Sequence, residues 1–185
     1  MAVLGDATKA LEKGDTSLAK DANLRGAEAA KLYSLMMRLA FQAARNRKLR
    51  ERMNIPDVST VIVMTIATRE LGRIAYYAMW IAKHVMELTE KPEPALVSIV
   101  RRMTDVTVEM QALAMKALLS RDIVAADSVF RKMPLVRELY ESGFTLPMKK
   151  NAKDAYHLAL ILRDVRGIAG YAVALADDAV LGIFR

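Results

Sequence analysis

The sequence predicts an all-α protein, an elongated six-helix bundle made of two tandem three-helix units, and three observations predict it. The stretch Arg69 to Ala82, RELGRIAYYAMWIA, returns about ninety residues later as RDVRGIAGYAVALA, Arg163 to Ala176. Through each copy runs an apolar seam spaced alternately three and four residues apart: Met64, Ala67, Leu71, Ile74, Ala78, Ile81, Val85 and Leu88, then Leu158, Ile161, Val165, Ile168, Ala172, Leu175 and Ala179. That spacing marks one face of a long helix. No stretch alternates at period two, so no strand is expected. Small alanines at intervals along both seams suit close antiparallel packing, and two matching seams in one chain suggest a duplication.

The segments upstream of the seams align as well. Ala10-Leu11 falls on Ala117-Leu118, Asp15 on Asp122 and Leu32-Tyr33 on Leu139-Tyr140, without a gap. Lys91-Pro92-Glu93-Pro94 is the clearest break, because two prolines remove donors and fix the backbone, and the second suits a first helical turn. The expected units are therefore residues 1–91 and 92–185. In order, a first helix spans Ala2 to Lys13 and stops at Gly14, with Asp15 or Thr16 capping the next. The second runs from about Ser17 to Met53 with Leu32, Leu35, Met36, Leu39, Ala40 and Ala43 as its inner face, and Asn54 with Pro56 ends it. The third starts near Asp57 or Ser59 and carries the first seam to about Glu90. A fourth covers Ala95 to Leu119. The fifth begins behind Asp122, is expected to kink or break at Pro134, and ends at Gly143 and Pro147. The sixth carries the second seam from Ala152 to about Phe184.

A chain of 185 residues can bury one substantial core or two small ones. It has no cysteine, which removes disulfides and thiolate sites and fits a cytosolic protein. Asp6 and Lys9 interrupt the first ten residues, so no signal-peptide apolar region is expected there. Charges such as Asp57, Arg73, Lys83, Arg101 and Arg163 break each apolar run before the ~20 residues of a membrane span. The net charge of +7 is mostly interleaved with acids along helical faces. Arg45, Arg47, Lys48, Arg50 and Arg52 are the exception, crowded into eight residues with Glu51 the only acid among them.

With this order of elements the chain resembles the PhoU family, regulators of phosphate uptake built as two similar three-helix units in one elongated bundle. The resemblance is carried by ALEKGD, Ala10 to Asp15, with Leu18-Ala19 after it, by ALLSRD, Ala117 to Asp122, and by the two seam motifs. These resemble the family's Leu-Glu-Arg-Ile-Gly-Asp-x-Ala-x-x-Ile-Ala at Leu71, Arg73, Ile74, Ala78, Ile81 and Ala82, and in hydrophobic frame at Val165, Ile168, Ala172, Leu175 and Ala176. The resemblance implies negative control of phosphate uptake and signalling through contact with a phosphate ABC transporter's ATPase or a sensor kinase. It also implies metal clusters held by acids four residues apart, a spacing that puts two hard oxygen ligands on one helix face. Here those slots hold Gly72 and Tyr76, Arg166 and Gly170, Gly26 and Ala30, and Met133 and Arg137. No carboxylate remains among them, so neither metal nor other cofactor is expected. Glu70 and Asp164, two positions before the motif slots, are expected as surface or ion-pair groups.

Other chemistry has little support. His84 and His157 lack the repeated Glu-x-x-His of a di-iron bundle, and Asp154, three residues before His157, makes only one such pair. No nucleophile and base are spaced for catalysis and no glycine-rich loop follows a strand, so an enzyme is not expected. Of the 12 methionines, Met36, Met37, Met64, Met79, Met103, Met110 and Met115 lie in helical stretches and read as core filling over an adaptable groove. Trp80 lies off the seam beside Tyr76 and Tyr77, either a lid on the neighbouring helix or an aromatic contact for a partner. Cations in the last turns of a helix offset its dipole, which accounts for two of the five at Arg45 to Arg52. The surplus suggests an acidic protein surface, anionic lipid or nucleic acid. Partner binding is therefore assigned to Arg45, Arg47, Lys48, Arg50, Arg52 and Trp80. A homodimer and peripheral membrane association through a transporter are compatible with this. The rival functions are a helical accessory protein of transcription or ion transport whose basic end meets nucleic acid, and a sensor half separated from an N-terminal domain.

Overall fold

The computed structural model describes residues 2–146 and 151–183. Seven α-helices and no strand occur among them: α1 (Ala2–Lys13), α2 (Thr16–Arg45), α3 (Arg47–Arg52), α4 (Val58–Glu87), α5 (Pro94–Ser120), α6 (Ile123–Thr145) and α7 (Ala152–Ile183). The expected stop at Pro147 and the expected end at Phe184 lie outside the described residues. Helix starts follow the sequence signals. Asp15, Asp57 and Asp122 are N-caps in extended conformation, each accepting a bond from the backbone N–H three residues on. Pro94 opens α5, where its missing N–H costs nothing. Gly14 follows α1 at φ 67, the left-handed conformation that glycine adopts without a Cβ clash.

One boundary differs from the sequence reading, and one expected break is absent. The second helix was expected to run unbroken to Met53, yet it stops at Arg45. Asn46 leaves helical geometry at φ −126, ψ 103, and its side chain accepts from the Leu49 N–H to start α3. An asparagine that can cap competes with the helical backbone for its own donors. Pro134, by contrast, does not interrupt α6, which continues from Ile123 to Thr145.

Helices α1, α2 and α4 pack together, α5, α6 and α7 pack together, and α4 lies along α7. Every residue of the second seam is buried, and the first is buried at Ala67, Ile74, Ala78, Ile81 and Val85. Thr8 of α1 meets Thr104 of α5 through buried hydroxyls 2.9 Å apart, which ties the first helix to the other half of the chain. The predicted inner face of α2 is a correction: Ala40 and Ala43 are buried, but Leu32, Leu35, Met36 and Leu39 are exposed, Leu32 at 62%. The reason is length. At ~1.5 Å per residue, the 12 residues of α1 cover fewer than half the turns of the 30-residue α2. Met64, at the outer end of its seam, is exposed in the same way.

Gly26 sets the approach of α2 to α4. A Cβ built there would stand 2.9 Å from the Met79 Cβ, an atom fixed to backbone. Gly26→Ala gains about 1 kcal/mol of helix propensity but forces a clash of the kind that costs ~1–3 kcal/mol. Gly170 has no atom within 4 Å of a built Cβ. Urea unfolding is expected to show Gly26→Ala less stable than wild type and Gly170→Ala more stable by about 0.5–1 kcal/mol.

Candidate docking site

The five clustered cations sit where α2 turns into α4, on and beside α3, and the structure divides them. Arg50 points its guanidinium back at the end of α2, donating from Nη1 to the Ala43 carbonyl at 2.8 Å and the Ala44 carbonyl at 3.3 Å. It satisfies carbonyls that α2 leaves open. Arg47 pairs with Glu51 one turn on, Nε to Oε1 at 2.8 Å. Arg45, Lys48 and Arg52 are exposed and meet no carboxylate among the described residues. Beneath them Ala40, Ala43, Ile55 and Val61 form a small core of their own. The tip is thus a packed end presenting three free cations. The Asp57 carboxyl, held down to about 2 by bonds from Ser59 and Thr60, stays ionised as the cap of α4.

Trp80 is not part of this tip. It lies 22 positions beyond Val58 along α4, which at ~1.5 Å per residue is over 30 Å away. Its ring is half-buried, 6.0 Å from Tyr76 and 5.6 Å from His84, with the Lys83 ammonium 4.3 Å over its face. Its Nε1 is buried without a hydrogen-bond partner.

Sequence reasoning passed over what lies next to it. His84 of α4 and His157 of α7 face each other, Nδ1 to Nδ1 at 3.1 Å, so one ring donates and the other accepts. On the far side of His84, Nε2 stands 3.8 Å from Asp164 Oδ2. The Asp164 side chain is 0% exposed; its Oδ1 takes both Nε and Nη2 of Arg163 at 2.9 and 2.7 Å, while Oδ2 has no hydrogen-bond partner. Burial pushes the Asp164 carboxyl up, with Arg163 opposing. The expectation of a surface or ion-pair group at Asp164 holds for the pair and not for the surface. Asp154 is also buried, bonded by the Thr89 N–H and hydroxyl and the Glu90 N–H, so it fastens the start of α7 to the connection after α4. No periodic signal announces a histidine pair 73 positions apart; only the antiparallel pairing of the two seams brings it together.

The metal slots fall in two places. Ala30, Gly72 and Tyr76 line an open groove of ≈ 310 Å³ between α2 and α4 together with Tyr33, Arg69 and Arg73. In the other half the Arg166 guanidinium stacks on the Tyr140 ring at 4.1 Å, and Gly170 faces open space. Glycine, alanine, methionine and arginine supply no hard oxygen ligand and tyrosine only a protonated phenol, so this donor set does not fit the clusters that the resemblance implies. Among the described residues no three His, Asp or Glu side chains are grouped to hold an ion.

Residues 2–85 match the family profile described as the PhoU domain. The structure superposes on the phosphate transport system regulatory protein PhoU from Streptococcus pneumoniae with a TM-score of 0.79 at 17% identity, covering 97% of this chain and 85% of that one. PhoU from Pseudomonas aeruginosa gives 0.76 at 19% identity, covering 97% and 87%. At such identities the agreement concerns the fold alone. The sequence matches no curated protein. No helix among the described residues is long and apolar enough to cross a membrane.

Burial beside His157, Arg163 and Lys83 pulls the His84 imidazole down to about 4, with Glu87 opposing. The unfolded chain takes up that proton near 6.5 and the folded one only near 4, so this group's contribution to stability is intact above 6.5 and falls as pH drops through that window. Asp178 acts in the opposite sense: burial, then Glu70 and Asp177, raise its carboxyl to about 6, and acidification relieves it. Urea midpoints compared at pH 7 and pH 4 are expected to fall less for His84→Phe than for wild type.

Proposed function

We propose that the protein regulates phosphate uptake and signalling by docking its helical surfaces on proteins of the phosphate transport system, without metal clusters and without catalysis of its own. The observation that carries the reading is the PhoU domain at residues 2–85, set in a fold that follows two solved PhoU proteins over 97% of the chain. The slot residues support the metal-free part, because a guanidinium at Arg137 or Arg166 repels a divalent ion where a carboxylate would attract it. The chain is read as two three-helix units, residues 1–91 and 92–185. The partner is the ATPase of a phosphate ABC transporter or a sensor kinase on the cytoplasmic side of the membrane. Docking uses the tip at Arg45, Lys48 and Arg52, while Arg47 and Arg50 hold the tip in shape.

Removing the gene from its host is expected to raise phosphate uptake in phosphate-replete medium, and unchanged uptake would overturn the reading. Arg45→Glu/Lys48→Glu/Arg52→Glu should reduce recovery of the transporter ATPase or kinase at least tenfold with the melting temperature unchanged, whereas Arg50→Gln should lower the melting temperature by a few degrees. The free cations also support a nucleic-acid contact as a second reading. It predicts DNA binding that weakens steeply with salt; no gel shift at 50 mM salt removes it.

A further inference from the structure

Arginines stand at or beside both sets of positions that the resemblance marks as metal slots. In the first half the groove between α2 and α4 carries Arg69 and Arg73, one turn apart on α4, with Tyr33 and Tyr76 beside them. In the second half the slots include Arg137 and Arg166, with Arg166 laid on Tyr140. All four arginines are exposed, and none forms an ion pair with a carboxylate among the described residues. Two unpartnered guanidiniums one helical turn apart repel each other and gain by sharing an anion. Stacking on a ring leaves a guanidinium's N–H edge free while fixing its plane.

We propose that these two faces are docking sites for acidic segments of a protein partner, a proposal that rests on the docking reading above. Carboxylates of the segment sit on Arg69 and Arg73, and an apolar side chain beside them enters the groove over Gly72 between Tyr33 and Tyr76; Arg137 and Arg166 form the second contact. The floor decides between ligands. Ala30, Met37, Gly72 and the tyrosine rings are apolar surface, which a free oxyanion leaves unused and a leucine-bearing acidic peptide covers. Paired arginine and tyrosine around an apolar centre is also the composition of interface hot spots. A second copy of this chain is disfavoured, because it would bring the same unpaired cations face to face.

The test uses the full chain and fluorescein-labelled twelve-residue peptides: leucine flanked by glutamates, glycine flanked by glutamates, and leucine flanked by lysines. Anisotropy should show the first bound at least tenfold more tightly than the other two. Arg69→Glu/Arg73→Glu should weaken it tenfold or more, Arg69→Gln/Arg73→Gln by a smaller factor, and Arg45→Glu/Lys48→Glu/Arg52→Glu by less than threefold. Equal binding of the glycine peptide, full displacement by pyrophosphate at equimolar concentration, or self-association that the Arg69/Arg73 variants abolish would each overturn the proposal. So would binding that survives Arg69→Glu/Arg73→Glu and is lost in the tip variant, although the docking reading would then stand. Failure of any peptide to bind wild type sinks this proposal, while recovery of the ATPase or kinase tests the broader reading separately.

Discussion

The close contact of α4 with α7 is the constraint on which the rest of the molecule depends. Ala78 and Ala82 on one helix, and Ala169, Ala172 and Ala176 on the other, are almost wholly buried. With no side chain longer than a methyl at these positions the backbones can approach closely, and Ile81, Ile161, Val165, Ile168 and Leu175 fill the space between. Everything else hangs from this seam. Helices α1 and α2 pack on α4, and α5 and α6 pack on α7. Ring contacts mark its length, His84 with His157 towards one end and Tyr77 with Tyr171, 5.6 Å apart, further along. Polar groups caught in it are consequently buried, which is why His84 loses its proton affinity and Asp164 gains some.

The slot residues lie on the outside of the same helices and are free of that constraint. Glycine, tyrosine and arginine at these positions offer no hard-ligand cation site, and none of Gly72, Tyr76, Arg166 or Gly170 is fully buried, so their identity bears little on the core. Where arginine stands at such a position, at Arg137 and Arg166, the surface is positive. Carboxylates crowded on one face need a metal to relieve their repulsion; arginines crowded on one face need an anion. Gly26 differs from the other slots because Met79 has closed on it, so a carboxylate side chain placed there would have to spread α2 from α4. The tip is separate again. Its cations divide into Arg47 and Arg50, which the local fold consumes, and Arg45, Lys48 and Arg52, which it leaves to solvent.

The helical architecture was legible because it is written in local signals. Period, caps and prolines act over one or two turns, so Gly14, Asp15, Asp57, Pro94 and Asp122 mark their boundaries wherever the helices go. The seams were legible for a related reason, as a residue that faces a neighbour along a whole helix must recur every three or four positions. The break at Asn46 was missed because an asparagine inside an apolar-periodic stretch announces a cap no more strongly than it announces a tolerated surface residue. The basic cluster was visible as composition, but its division into structural and free cations depends on where the α2 carbonyls end.

By itself the sequence determined the α-helical class, the order and caps of the long helices and the two apolar seams, since each follows from residue type and spacing alone. Only the tertiary structure decided that Leu32, Leu35, Met36 and Leu39 stay exposed, that His84 meets His157, that Trp80 stands apart from the tip, and that Arg69, Arg73 and two tyrosines share one groove. Those facts depend on which helix lies alongside which and how far each extends, and a pattern that repeats every turn carries no record of its neighbour's length.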